Sequence, residues 1–376
     1  MSRTRIVIIG ATGHFGGRIC RRILGEPNTE LVITSRHLGK VESLSTELAR
    51  MNADARVSAA AVDQTSPSFA ADLAALRPDI VIHTAGPYQG QSYNVAEACL
   101  ACGSHYIDLA DGREFVERFG ALHEEATRKN VLLVSGASTL PGLSSAVIEH
   151  VRGEFESIHS IETSIAPAHQ TPRGVGTVAA VLSYCGAPFQ VIENGEWITR
   201  YGWQDLKIQR YPEFGRRLSG ACDVPDLGLF PKYVNSVQTV TFHAALEATW
   251  EQISLWKMAW ATRLGIVRNW ERLVPTFQSV SDRLIKLGST TGGMQICISG
   301  TGIGGREKAV SWNLVAHQNH GPEIPCVPAL VLARKLAAGK ISLRGAYPCL
   351  GMITLPEFDE EVSDLDIRWR MDEVIE

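Results

Sequence analysis

Residues 5–10 contain four consecutive aliphatic positions and no polar face. Such a run reads as a strand buried on both sides. Residues 13–24 then repeat their apolar positions at helical spacing, with Ile19, Ile23 and Leu24 on one side. The same exchange continues down the chain. Apolar runs at 31–34, 57–62, 79–83, 106–109 and 131–135 predict strands, and residues 40–51, 69–76, 93–102 and 115–129 predict helices. Strands and helices alternating at this length specify a doubly wound parallel sheet, a Rossmann domain of the α/β class.

The pattern changes after Pro141-Gly142. Residues 157–165 alternate as a strand does in an open, mixed sheet. Residues 177–184 read as a helix, and residues 233–287 as a helical region rich in tryptophan. Residues 295–299 and 309–315 suit antiparallel partners across the glycine turn 302–305, and 329–338 suits a helix stopped by Gly339. The alternating run 366–371 suits a strand added to the first sheet. The expected organisation is therefore a Rossmann domain from 1–140 plus 345–376, and a second mixed α/β (α+β) domain from 141–344.

Composition narrows the function. The chain has 376 residues, 45% of them hydrophobic and 20% charged, with a net charge of −4. That balance gives no long-range pull on nucleic acid or on an anionic membrane. The apolar part of the N-terminus is too short for a secretory signal. Residues 174–192 are poor in charge but interrupted by Gly186 and Pro188, so a buried helix is expected rather than a membrane span. Of eight cysteines only Cys99 and Cys102 are close, with no histidine nearby, which suits reduced core thiols, no metal site and a cytoplasmic protein. His317 and His320 read as loop residues.

The chemistry gathers at the carboxyl ends of the first strands. Gly10-Ala-Thr12-Gly13-His14-Phe15-Gly16 follows a strand and opens a helix. Glycines there let the backbone approach a pyrophosphate, and the helix N-terminus offers unpaired N–H groups. At the end of the second strand NAD sites place a carboxylate. This chain has Ser35-Arg36, with Lys40 one turn later, which favours NADP over NAD. Asp63 is placed to meet the adenine edge. Ala85, Gly86 and Pro87 after the fourth strand, and Ser138 after the sixth, are expected to flank the nicotinamide. None of the eight tyrosines has Lys four residues later, so the proton relay of short-chain dehydrogenases is not expected.

The segments Gly10–Gly16, 83–112 (HTAGPYQGQSYNVAEACLACGSHYIDLADG), 138–145 (STLPGLSS) and 345–358 (GAYPCLGMITLPEF) resemble the saccharopine dehydrogenase-like oxidoreductases. The resemblance implies hydride transfer between NADP(H) and a small molecule bearing a C=N, C=O or activated C=C bond. It supplies little dedicated acid–base machinery, so Tyr88 and Asp108 are the catalytic candidates, with Asp111 a helix cap. Arg173, Thr177 and Arg344 are candidates for substrate binding. So are Trp256 and Trp260, which share a helix face and suit a wide apolar pocket or the interface of a homodimer. An apolar pocket would point to a lipid-type enoyl or keto reductase. A second domain closing the nicotinamide edge would point to a non-catalytic NADP-binding redox sensor.

Overall fold

The computed structural model describes residues 3–172, 174–268 and 270–373. In chain order its strands are β1 (Thr4–Ile9), β2 (Thr29–Ser35), β3 (Val57–Ala61), β4 (Ile80–His83), β5 (His105–Asp108), β6 (Leu132–Ser135), β7 (Phe155–Ala166), β8 (Pro188–Glu193), β9 (Glu196–Tyr201), β10 (Lys207–Tyr211), β11 (Gly215–Ala221), β12 (Thr239–Ala245), β13 (Gly292–Gly302), β14 (Glu307–Ala316), β15 (Gly345–Pro348) and β16 (Ile367–Glu373). They divide between two compact units. One runs to Leu143 and takes in Glu323–Ile353; the other is Ser144–Pro322 with the chain from Thr354.

The first unit holds a seven-stranded parallel sheet in the order β3-β2-β1-β4-β5-β6-β15. Ile6–Ile9, Ile80–Ile82 and Leu132–Val134 are buried along their whole runs, as strands covered on both faces must be. The chain moves outward from β1 to β3, then returns to place β4 on the other side of β1. Neighbouring strand ends part there, which makes the crevice used by ligands of such sheets. The helix expected over 115–129 is three pieces: Arg113–Glu117, a tight turn Phe119–Leu122 and His123–Arg128. Gly120 inside it weakens helical continuity.

Gly345 returns to the first sheet, where β15 pairs in parallel with β6. Residues 366–371 do not. They form most of β16, which pairs antiparallel with β14, so that Met371 faces Trp312. The reason is in the alternation. Ile367 is buried while Arg368 and Arg370 are not, and such a strand needs a sheet with one wet face.

The second unit holds a mixed sheet in the order β10-β11-β12-β7-β13-β14-β16, with the β8–β9 hairpin attached to β12. β13 and β14 form the expected hairpin. In β14, Val310, Trp312 and Leu314 are buried on one face. On the other, Asn313 accepts from Gln295 Nε2 at 2.7 Å and donates to Asp372 Oδ2 at 3.2 Å, bridging three strands. The stretch 233–287 is not helical throughout. β12 crosses it as an interior strand parallel to β7, and its helices are Thr249–Arg263 and Val274–Leu284. No described helix is long and apolar enough to cross a membrane.

Candidate functional site

β1 delivers the chain into a turn at Gly10, whose φ of +81° suits glycine. A Cβ on Gly10 would lie 2.9 Å from Ala85 Cβ, and one on Gly16 would lie 2.4 Å from Gly10 O and 2.7 Å from Thr84 Oγ1. The glycines are thus required both by the turn and by its contact with the end of β4. Thr84, which sequence reasoning passed over, donates its hydroxyl to Ile9 O at 2.9 Å and Gly10 O at 3.1 Å, clamping the turn to β4. Gly13 caps the helix His14–Ile23 without a side-chain hydrogen bond, and its first turn holds no acid. Its first N–H groups and dipole therefore present an uncompensated positive end. His14 stands in that turn, half-buried. Burial, with Arg18 adding to it, brings its pKa down to about 4, so the ring is neutral at pH 7.

The second wall is the end of β2. Ser35 is buried, and its oxygen accepts from Thr12 Oγ1 at 3.3 Å and His37 N at 3.2 Å. It links the glycine turn to β2 rather than standing free. Arg36 is exposed and forms no hydrogen bond or ion pair among the described residues. Lys40, also exposed, lies in the first turn of the helix Leu38–Met51, which has no acid there and no side-chain cap. Two cations beside a helix N-terminus repel one another and the dipole, so an anion placed among them is stabilised. Asp63 accepts from Thr65 N at 2.9 Å and Thr65 Oγ1 at 2.7 Å. Those bonds, with smaller contributions from Arg36 and His37, hold its carboxyl below the usual range.

Beyond β4, Ala85, Gly86 and Pro87 form a loop with a cis Gly86–Pro87 bond. Gln91 Nε2 donates to Ala85 O at 3.0 Å, and Asn94 Nδ2 donates to Gln64 O at 2.6 Å. These amides shape the loop and carry no periodic signal that would have marked them. Ser138, mostly buried, stands in the turn after β6, where its N–H donates to Gly136 O at 2.8 Å.

Tyr88 does not reach out from this edge as a proton donor would. It is buried, its hydroxyl donates to His83 O at 2.7 Å, and its ring packs against His83 and Phe115. Burial above all, with Asp108 adding to it, pushes its pKa well above the ordinary value. Asp108 is also buried. Its Oδ1 accepts from Gly136 N at 2.8 Å, Ala110 N at 2.9 Å and Ser135 Oγ at 3.0 Å, stitching the ends of β5 and β6 together. Burial outweighs those bonds and raises its pKa to about 6. His83, also missed, is buried with Nδ1 3.0 Å from the Tyr106 hydroxyl, and burial lowers its pKa to about 3. Asp111 does not cap the next helix: Gly112 holds that position, and Asp111 accepts from Gln89 Nε2 at 3.2 Å.

Arg344 lies immediately before β15, which runs parallel to its neighbours, and so stands at the amino edge of the sheet. Its Nη1 donates to Ile341 O at 3.0 Å and Leu343 O at 2.8 Å. The glycine turn is at the opposite, carboxyl edge, which removes Arg344 from the substrate candidates. Arg173 lies outside the described residues. Thr177 is exposed on the helix Val175–Ser183. Trp256 is half-buried and Trp260 exposed, with ring centroids 6.3 Å apart.

A glycine turn at the switch point of a parallel sheet, between an unpaired helix end and two unpaired cations, defines a dinucleotide-binding Rossmann domain. Comparison with known proteins agrees. Residues 6–134 match the family model described as the saccharopine dehydrogenase NADP binding domain. The apo saccharopine dehydrogenase (L-Glu forming) of Saccharomyces cerevisiae shares the whole-chain fold, with a TM-score of 0.67 over 99% of this chain and 100% of that one at 12% identity. The WlbA dehydrogenase of Thermus thermophilus, solved with NAD and α-ketoglutarate, aligns more loosely, with a TM-score of 0.40 at 12% identity over 96% of this chain and 92% of that one. No curated protein matches in sequence. Residues 6–134 are thus similar to the NADP binding domain of saccharopine dehydrogenases, and the whole chain shares the fold of one such enzyme.

Proposed function

We propose that the protein is an NADP-dependent oxidoreductase acting on a small molecule with a C=N, C=O or activated C=C bond. The observation that carries the cofactor choice is the exposed, unpaired Arg36 at the end of β2, with Lys40 one turn on and no carboxylate at that strand end. The cradle suits a dinucleotide, because Gly10 and Gly16 keep the turn bare of side chains where a Cβ would collide with Ala85, Thr84 and the backbone. Gly10, Thr12, Gly13, His14, Phe15 and Gly16 would hold the pyrophosphate, and Arg36 and Lys40 the 2′-phosphate. Ser35 would orient the turn between them, with Asp63 at the adenine end. Ala85, Gly86, Pro87 and Ser138 would border the nicotinamide, which supplies or accepts the hydride.

The chain's own contribution is placement. A neutral His14 leaves the helix end to the pyrophosphate without a competing local cation, and becomes more basic when an anion arrives. The Tyr88 hydroxyl and Asp108 Oδ1 are engaged inside the sheet, where they hold the loops, and Asp108 Oδ2 is buried without a hydrogen bond among the described residues. Proton transfer then falls to solvent or to the substrate's own groups, which suits imine chemistry. The buried and half-buried thiols suit a reducing, cytoplasmic setting. Fluorescence titration with NADPH and NADH tests the cofactor. NADPH consumption across an imine, a ketone and an enoyl panel tests the reaction; binding without turnover on any class overturns the enzymatic part.

A further inference from the structure

Among the described residues, eight of the sixteen exposed large apolar side chains fall between Trp250 and Leu287, a tenth of the chain. The helix Thr249–Arg263 shows how they come to be exposed. Its inner face, Gln252, Leu255 and Ala259, is buried. That face is seated so closely that a Cβ on Gly186 would lie 2.5 Å from Ala259 O, and Gln252 Oε1 accepts from Leu246 N at 3.1 Å. The outer face is apolar as well. Trp250, Ile253, Trp260 and Leu264 recur at three- and four-residue steps around exposed Lys257, and are 50%, 37%, 37% and 67% exposed. Ile266 follows at 72%. A helix with a second apolar stripe on its solvent side has a partner the chain itself does not supply.

Charge selects that partner. Residues 249–288 carry six Lys/Arg against three Asp/Glu, in a chain whose net charge is −4. Of the acids, Glu251 is turned inward, its carboxylate 3.6 Å from His169 Nδ1. Arg263 lies over the rings of Tyr201 and Trp260, at 4.0 and 5.0 Å, at the end of the stripe. A second copy docked on this face about a twofold would set Lys257 and its cationic flanks against themselves. The exposed indoles of Trp250 and Trp260 donate to no protein acceptor among the described residues. Their shape, an apolar body with one N–H, suits the headgroup level of a bilayer, and the surrounding cations suit an anionic one.

We propose that the Trp250–Leu264 face docks on the surface of an anionic phospholipid bilayer, its indoles and aliphatic side chains entering the headgroup boundary and Lys257 meeting lipid phosphates. The proposal stands apart from the redox reading, and either can fail alone.

The test is co-sedimentation of the full chain with phosphatidylcholine vesicles and with vesicles containing about 30% phosphatidylglycerol, at low and high salt. The expected result is partition about 10-fold higher on the anionic vesicles, weakened by salt, and lowered about 10-fold by Trp260→Ser with Leu264→Ser. Lys257→Glu should lower it and flatten the salt dependence. An unchanged far-UV circular dichroism spectrum and a retained cooperative melting transition show that a variant is folded. Quenching of wild-type tryptophan fluorescence by brominated acyl chains gives a reading that needs no variant. Failure of the wild-type chain to bind anionic vesicles overturns the proposal. So does a dimer in light scattering that the Trp260/Leu264 variant dissolves without any vesicle binding, which would give the face to a second copy.

Discussion

The Tyr88 hydroxyl donates to the carbonyl oxygen of His83, 2.7 Å away, so the loop after β4 is tied back to the strand it leaves. Replacing Tyr88 by Phe keeps the ring and removes that bond, leaving a buried carbonyl with one partner fewer. The expected cost is about 1–3 kcal/mol of stability, read from chemical denaturation. Turnover of a substrate found in the screen should change less than about 3-fold. A loss of about 100-fold with stability intact would restore Tyr88 as a proton donor.

Arg36→Asp should separate the two cofactors. It exchanges an attraction for a repulsion where a 2′-phosphate would sit, and a charged hydrogen bond is worth about 1.5–3 kcal/mol. NADPH binding is expected to weaken about 10- to 100-fold, with NADH changed less than about 3-fold. Equal losses in a fluorescence titration would remove Arg36 from the site.

Gly16→Ala tests the cradle. The added Cβ would lie 2.4 Å from Gly10 O, so the turn must open. Both cofactors should lose about 10-fold or more in affinity, whatever the 2′ group, because the pyrophosphate seat is shared. Unchanged NADPH binding by calorimetry would show that the turn is only a fold element.

A fourth expectation concerns pH. Asp226 is buried in the second unit beside Ser144, and burial pushes its pKa up to about 7 from 3.8. A carboxyl that binds its proton more tightly folded than unfolded loses stability as pH rises between those two values, and levels off above the higher one. Asp226→Asn removes the ionisation. Its melting temperature should gain on wild type between about pH 4 and 7, then hold a constant lead worth a few kcal/mol. A difference that does not vary across that window would contradict the assignment.

The first unit was legible because β1, β4 and β6 carry unbroken apolar runs, which few other structures accommodate. The second unit was read less well. β8 to β11 are short strands of mixed exposure, with no buried position in β9 and one in β10, and β12 lies inside a stretch whose tryptophans suggested helix throughout. The strand at 366–371 was visible in its alternation, but alternation names a face and not a partner. Arg344 could have been placed from sequence, since the residue before a parallel strand stands at its amino edge. The direction of the Tyr88 hydroxyl could not, because nothing in the spacing shows which carbonyl it meets. Gly10–Gly16 and Arg36 were found because their chemistry is local to the chain.

The pairing of β15 with β6 bears on how the protein is made. Gly345 lies opposite Leu132, and the entire mixed sheet up to β14 is encoded between them. A ribosome therefore finishes the mixed sheet's first eight strands while the edge of β6 still lacks its neighbour. The part of the chain synthesised first is completed only when residues 345–348 emerge. Until then the nascent chain exposes a row of unpaired amides on a flat parallel edge, the kind of surface that recruits other strands. Chains stalled or truncated before Gly345 should be the ones that chaperones hold, even though every residue that builds the glycine turn has already been translated.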